Sequence, residues 1–153
     1  MRYLFYSNSA DSIGSIGLLL LRLVVGAAFL IHGWPKINHP MDWMGPNATM
    51  PGVLQCLAAI SEFGGGLALI FGLLTRLASL GIVSTMVVAI ATVHLPNGHA
   101  FVNTAHGPSY EIAAVYLACA VLFVLIGAGR FSLDALLFGG GNAGNSRVSE
   151  SSI

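Results

Sequence analysis

The sequence predicts an all-α integral membrane protein, a bundle of four transmembrane helices. Three observations carry this. Hydrophobic residues make up 56% of the 153 residues and charged residues only 8%, where a soluble domain carries about 25% charged. The mean hydropathy is +0.82, more apolar surface than so small a soluble core can hide. The apolar residues also fall into four stretches, each approaching the roughly 20 residues a helix needs to cross about 30 Å of hydrocarbon. The formal net charge is zero. No basic surface therefore attracts nucleic acid or acidic lipid.

Residues 1–12 are short and mixed. They lack a basic n-region, and no A-x-A pattern follows the first apolar run, so no signal peptide is expected. The first span is placed at 13–34, ended by Gly33-Trp34-Pro35, because Pro35 disfavours helix at the residue before it. The second covers 52–74, with Pro51 able to start it. Thr75-Arg76 is a tight link, so the third span, 76–95, must be its antiparallel neighbour. Pro96-Asn97-Gly98 stops that span. The fourth covers 110–127, and Gly129 to Asp134 then reads as an interfacial turn or short helix capped by Ser132. The Gly/Ser/Asn-rich stretch 139–153 is expected to be a disordered tail. Helix is the only spanning form expected here, because lipid offers backbone groups no other partner.

Arginines outside the spans set the orientation. Arg2, Arg76, Arg130 and Arg147 fall at one end of the bundle, and only Lys36 at the other. Both termini are therefore expected in the cytoplasm, with loops 35–51 and 96–109 outside. Cys56 and Cys119 lie far apart in apolar runs without a CxxC pair, and read as small core thiols rather than a disulfide. Gly64-Gly65-Gly66 lies inside an apolar helix and reads as packing, with Gly64, Ala68 and Gly72 forming a ladder of small residues.

Charges within the spans are the candidate functional residues. A charged side chain at the centre of a membrane helix costs about 2.5–3.5 kcal/mol, so it normally faces inward and pairs. At 1.5 Å per residue, Arg22 lies about 12 Å above the inner end of helix one and Glu62 about 15 Å above that of helix two. The matching depths predict an Arg22–Glu62 ion pair. Gln55, Ala58, Ala59, Gly65 and Gly66 on the face of Glu62 suit close packing. Such a pair can simply pin helix register, or it can serve as a proton relay or substrate clamp. His32, His94 and Glu111 all lie about 27 Å up, with Lys36 a turn beyond His32. They predict a polar cluster at the outer boundary. Imidazole and carboxylate can relay protons to a quinone or another redox substrate. Metal or haem ligation is the weaker reading, since no HxxxH or HExxH spacing is present. His39, His99 and His106 lie in loops and read as solvated.

The ordered set Leu21-Arg22-Leu23, Gly26, Phe29, His32-Gly33 and Lys36 resembles the opening helix of the DoxX family. Glu62, Gly65-Gly66, Gly72 and Thr75-Arg76 resemble its second signature. His94, Pro96-Asn97-Gly98, Glu111, Gly127, Gly129 and Ser132-Leu133-Asp134 continue the likeness over about residues 17–137. The resemblance implies a four-helix domain over 13–138 in the inner membrane of a bacterium, with a membrane redox role and a quinone as cofactor. The charges singled out by depth supply the expected roles: His94, Glu111 and His32 are the expected catalytic groups, and Lys36, Arg22 and Glu62 the expected substrate-binding groups, with no metal. The expected partners are lipid, quinone, other redox subunits and further copies of the chain. Two alternatives stand beside this: a non-catalytic anchor or assembly subunit for an oxidoreductase, and a small transporter or proton pathway.

Overall fold

The computed structural model describes residues 12–105 and 107–138. The predicted cytoplasmic segment, apart from Ser12, the tail and His106 lie outside the described residues. Among the described residues five helices follow one another: α1 (Ser12–Asn38), α2 (Gly52–Phe71), α3 (Thr75–Ala89), α4 (Glu111–Ile126) and the short α5 (Leu133–Phe138). One wider π-helical turn, Ile90–His94, extends α3. Among the described residues no strand forms, and the only pairing of that kind is an isolated bridge between Ala100 and Ser109. α1 packs on α2, α2 on α3 and α3 on α4, with a smaller contact between α1 and α4.

The helix limits differ from the predicted ones at two points. α1 does not stop at Trp34 but runs through Pro35 to Asn38. A proline removes one N–H from the ladder, and membrane helices tolerate that where nearby groups compensate. The Asn38 amide donates to the carbonyl of Trp34 at 2.9 Å, which closes the end. α2 stops earlier than predicted, at Phe71. Gly72 takes φ +66°, and its N–H turns back to the carbonyls of Ala68 and Leu69. This left-handed cap is the standard use of glycine past a helix end.

Small residues let the first two helices nearly touch. A Cβ on Gly26 would stand 2.8 Å from the Gly66 carbonyl oxygen, and one on Gly66 would stand 2.7 Å from the Leu30 nitrogen. Gly65 meets α3 instead, 3.1 Å from Ile82 Cδ1. The predicted ladder starting at Gly64 is therefore displaced: nothing comes within 4 Å of a Cβ there except Ile60 of its own helix, at 4.0 Å. Close backbone approach through small residues replaces the hydrophobic effect as the force between helices in lipid. Leu18, Val25, Phe29, Leu69, Ile82, Met86, Ala120 and Phe123 form the buried core around these contacts. The outer face is as apolar as the core, with Leu20, Val24 and Ile31 of α1 exposed at 60%, 69% and 73%. α1, α2 and α3 with its π turn are each long and apolar enough to cross a membrane, and α4 is a shorter apolar helix.

The two glycines give a direct test. Gly66→Ala should lower stability in detergent by about 1–3 kcal/mol, as overpacking does. Gly64→Ala should leave it unchanged or raise it, since a helical glycine is about 1 kcal/mol worse than alanine. Equal losses on thermal unfolding of the two variants would contradict the packing described.

Candidate functional site

Two polar centres sit inside the helices, and neither is the predicted one. Arg22 is 1% exposed, and Glu62 2%. They do not pair. Arg22 lies against Gly72, with its guanidinium carbon 2.8 Å from where a Gly72 Cβ would be. Glu62 is ten residues from Gly72, which is about 15 Å along α2. Equal rise along α1 and α2 does not give equal depth, because the helix ends do not share a plane. The first turns of α1 project past the end of α2 and are covered by the segment after α4. There Gly129 packs on Leu18 and Ser15, and Arg130 N–H donates to Ser15 Oγ at 3.3 Å.

Arg22 is bonded to backbone instead. Its Nε donates to the Leu69 carbonyl at 3.0 Å, Nη1 to the Ala128 carbonyl and Nη2 to the Phe131 carbonyl at 3.0 Å. The Leu69 carbonyl belongs to the last turn of α2, where a cation also meets the negative end of the helix dipole. Asp134 acts on Arg22 electrostatically. Its own oxygens accept the N–H groups of Leu74 at 2.7 Å and Thr75 at 2.9 Å, capping the start of α3. Leu74 is held at φ +49°, a conformation that costs a non-glycine residue on the order of 1–3 kcal/mol. Ser132 caps α5 as its position predicted, accepting the Ala135 N–H at 3.1 Å. This end of the bundle is a structural latch: every polar group named has a backbone or electrostatic partner.

The partner of Glu62 is Lys36. Lys36 Nζ donates to both carboxylate oxygens, at 2.6 and 2.7 Å. It also stands 4.4 Å from the centroid of the Trp43 ring, within reach of a cation–π interaction. Lys36 sits on the last turn of α1, and helical side chains lean toward the N-terminus, which brings its ammonium down onto α2. Trp43 lies in the loop between α1 and α2, and Gln55 fixes that loop. The Trp43 indole N–H donates to the Gln55 carbonyl at 3.0 Å, the Met44 N–H to Gln55 Oε1 at 3.1 Å, and Gln55 Nε2 to the Met50 carbonyl at 2.9 Å.

Lys36, Glu62 and Trp43 close one end of a cavity of about 240 Å³ between α2, α3 and the loop. The rest of its wall is mainly apolar, including Leu57, Val88 and Met50. The hydroxyls of Ser84, Thr85 and Thr92 in that wall donate to Leu80, Gly81 and Val88 carbonyls of their own helix. The cavity thus presents one charged pair and an apolar interior, the usual composition of a small-molecule site.

The predicted outer cluster does not assemble. His32 is exposed and meets the edge of the Tyr116 ring, with centroids 6.4 Å apart. Glu111 is exposed at the start of α4. His94 pairs with His99 instead, Nδ1 to Nδ1 at 3.0 Å, and faces Tyr110 at 6.4 Å between centroids. His99, read as a solvated loop residue, is half-buried in this pair, while His39 is exposed as read. Among the described residues no three His, Cys, Asp or Glu side chains are placed to hold a metal. Cys56 and Cys119 are free and half-buried. Trp43 carries no local signal of this role in the sequence, and Gln55 stands out there only as part of a polar stripe. An uncharged amide buried in an apolar helix was the signal available for Gln55.

Apolar helices with an apolar outer face and a charge-ended cavity between them define a membrane protein. A family model described as DoxX matches residues 17–95, and the chain belongs to the DoxX family. It is 32% identical over 133 residues to a Haemophilus influenzae protein, covering 86% of this chain and 98% of that one. It is 29% identical over 128 residues to "Inner membrane protein YqjF" of Escherichia coli, covering 80% and 92%. It is 30% identical over 133 residues to "Putative oxidoreductase CatD" of Bacillus subtilis, covering 85% and 93%. No solved structure matches the chain.

The ion pair predicts an asymmetric mutant cycle. Lys36→Met leaves the Glu62 carboxylate buried without a partner and should cost about 3–5 kcal/mol of stability in detergent. Glu62→Leu should cost less, because the Lys36 side chain, 23% exposed, can turn to water. The double variant should recover most of the Lys36→Met loss. Losses that simply add would show that the pair is not coupled.

Proposed function

We propose that this protein is a quinone-binding component of a membrane redox system, and that the Lys36–Glu62 end of the cavity receives the quinone ring. The observation that carries this is the single charged pair closing an otherwise apolar cavity. A quinone presents a flat ring with carbonyl oxygens. Lys36 donates a hydrogen bond to one carbonyl, Trp43 offers a flat apolar face, and Glu62 can accept one of the two protons a quinol releases when an electron-carrying partner subunit of the redox system takes its two electrons. The name of the Bacillus subtilis relative, an oxidoreductase, agrees with a redox role. Lys36 and Glu62 thus keep the substrate-binding role expected from sequence, whereas Arg22 serves the latch. The His94–His99 pair closes the π turn that carries the wall residues Thr92 and Val93, where it can exchange protons with water.

In the same reading the chain crosses a bacterial inner membrane four times, with the Lys36 end outside and the Arg130 end in the cytoplasm. α4 has 16 residues, about 24 Å, and crosses with modest local thinning of the bilayer.

Binding is read from Trp43 fluorescence in a Trp34→Phe protein, since the chain has only two tryptophans. A decyl-tailed quinone should quench it saturably, and Lys36→Met should weaken the affinity at least tenfold. Unchanged affinity in both Lys36→Met and Glu62→Leu would remove the quinone assignment. Orientation is tested in a Cys56→Ser, Cys119→Ser background. Asn47→Cys and Asn103→Cys should react with an impermeant maleimide in intact cells, and Leu137→Cys only after lysis. The opposite pattern would invert the topology.

A further inference from the structure

Building on that reading of the cavity, we infer that its ligand is an amphiphile that enters sideways from the lipid, through the cleft between α2 and α3, leaving an apolar tail lying in that cleft. Three features point this way.

The first is the wall itself. Leu54 and Leu57 of α2, Val88 of α3 and Val93 of the π turn line the cavity. The same side chains are exposed at 50%, 55%, 42% and 38%. A residue that borders both a cavity and the outside marks an opening, and here the outside is the apolar face of the bundle. The cleft has a floor: a Cβ on Gly81 would stand 3.0 Å from Ser61 Oγ, so α2 and α3 meet closely there. The lining residues of α3, from Ser84 onward, lie on the Lys36 side of that contact.

The second is the roof. Trp43, Met44 and Met50 cover the cavity at the loop end, and the three bonds to Gln55 hold them there. Gln55 is itself 3% exposed. Entry from the loop end would require breaking these bonds, whereas the wall at Leu57 and Val88 is made of partly exposed apolar side chains.

The third is size and polarity. About 240 Å³ is below the range of about 300–1,000 Å³ that encloses a drug-sized ligand. It admits a substituted ring but not a ring with a long chain. The hydroxyls of Ser84, Thr85 and Thr92 donate to their own helix, so beyond the Lys36–Glu62 pair the wall offers a polar ligand little except the Ser61 hydroxyl. A molecule with one polar head and an apolar tail matches this layout, with the head inside and the tail in the opening.

The test compares two ligands in lipid nanodiscs: a tail-less dimethoxy-methyl-benzoquinone and its decyl-tailed analogue. Affinities come from Trp43 quenching in the Trp34→Phe protein and are corrected for partition into lipid. The tailed ligand should bind at least tenfold more tightly. Leu57→Phe with Val88→Phe adds bulk at two wall positions that are also exposed, and should weaken the tailed ligand at least fivefold more than the tail-less one. Thermal unfolding without ligand checks that the variant is folded. If it is not, Leu57→Phe alone is used, with the same expected selectivity. Equal corrected affinities of the two ligands, or equal weakening of both by the variant, would overturn the lateral entry. Failure of both ligands to bind the parent protein would overturn the quinone reading instead.

Discussion

The contact between Gly26 of α1 and Gly66 of α2 sets the register on which both polar centres depend. Two backbones this close cannot slide past one another without a clash, so the position of every residue along α1 is fixed against α2. Below the contact, this register brings Arg22 to the carboxyl end of α2, where free carbonyls await a donor. Above it, Lys36 meets Glu62. Arg22 and Lys36 lie fourteen residues apart, about 21 Å along the helix. One close approach therefore positions two cations that never meet. A shift of one helical turn would leave both of them, and Glu62, unpaired in an apolar medium.

The two centres use charge in opposite ways. Around Arg22 the donors are matched by carbonyls and by the field of Asp134. That arrangement holds helices and the α2–α3 link together. Around Glu62 the carboxylate has one mobile partner, an aromatic ring and a cavity next to it. A lysine can swing, whereas a planar guanidinium bound to three carbonyls cannot without losing several bonds at once. The difference separates a structural charge from one that can respond to a ligand.

Much of the fold could be read from the sequence, because apolar length and Pro/Gly punctuation are local signals. The start of α2 after Pro51, the stop of the π turn before Pro96 and the cap at Ser132 all follow from a few neighbouring residues. The charged residues that matter, Arg22, Lys36 and Glu62, were also visible, since any charge in an apolar span stands out. Their pairing was not. It required knowing where the helices start relative to one another, and the projection of α1 beyond α2 depends on the segment around Gly129, more than a hundred residues away. Trp43 was missed for a similar reason: its place beside Lys36 depends on the loop fold imposed by Gln55. His99 looked like a loop residue because the turn that folds it back onto His94 spans only Leu95 to Gly98.

The latch around Arg22 and Asp134 also has a consequence for how the molecule is made. Arg22 is synthesised early, and two of its three acceptors, the carbonyls of Ala128 and Phe131, are synthesised late. The N–H groups of Leu74 and Thr75 wait for Asp134 in the same way. While the ribosome is still working, the first three helices hold a cation in their interior with only the Leu69 carbonyl to bond it. The chain therefore completes its assembly from its carboxyl side. A six-residue helix, too short to cross anything, is the part whose arrival turns a set of inserted helices into a finished protein.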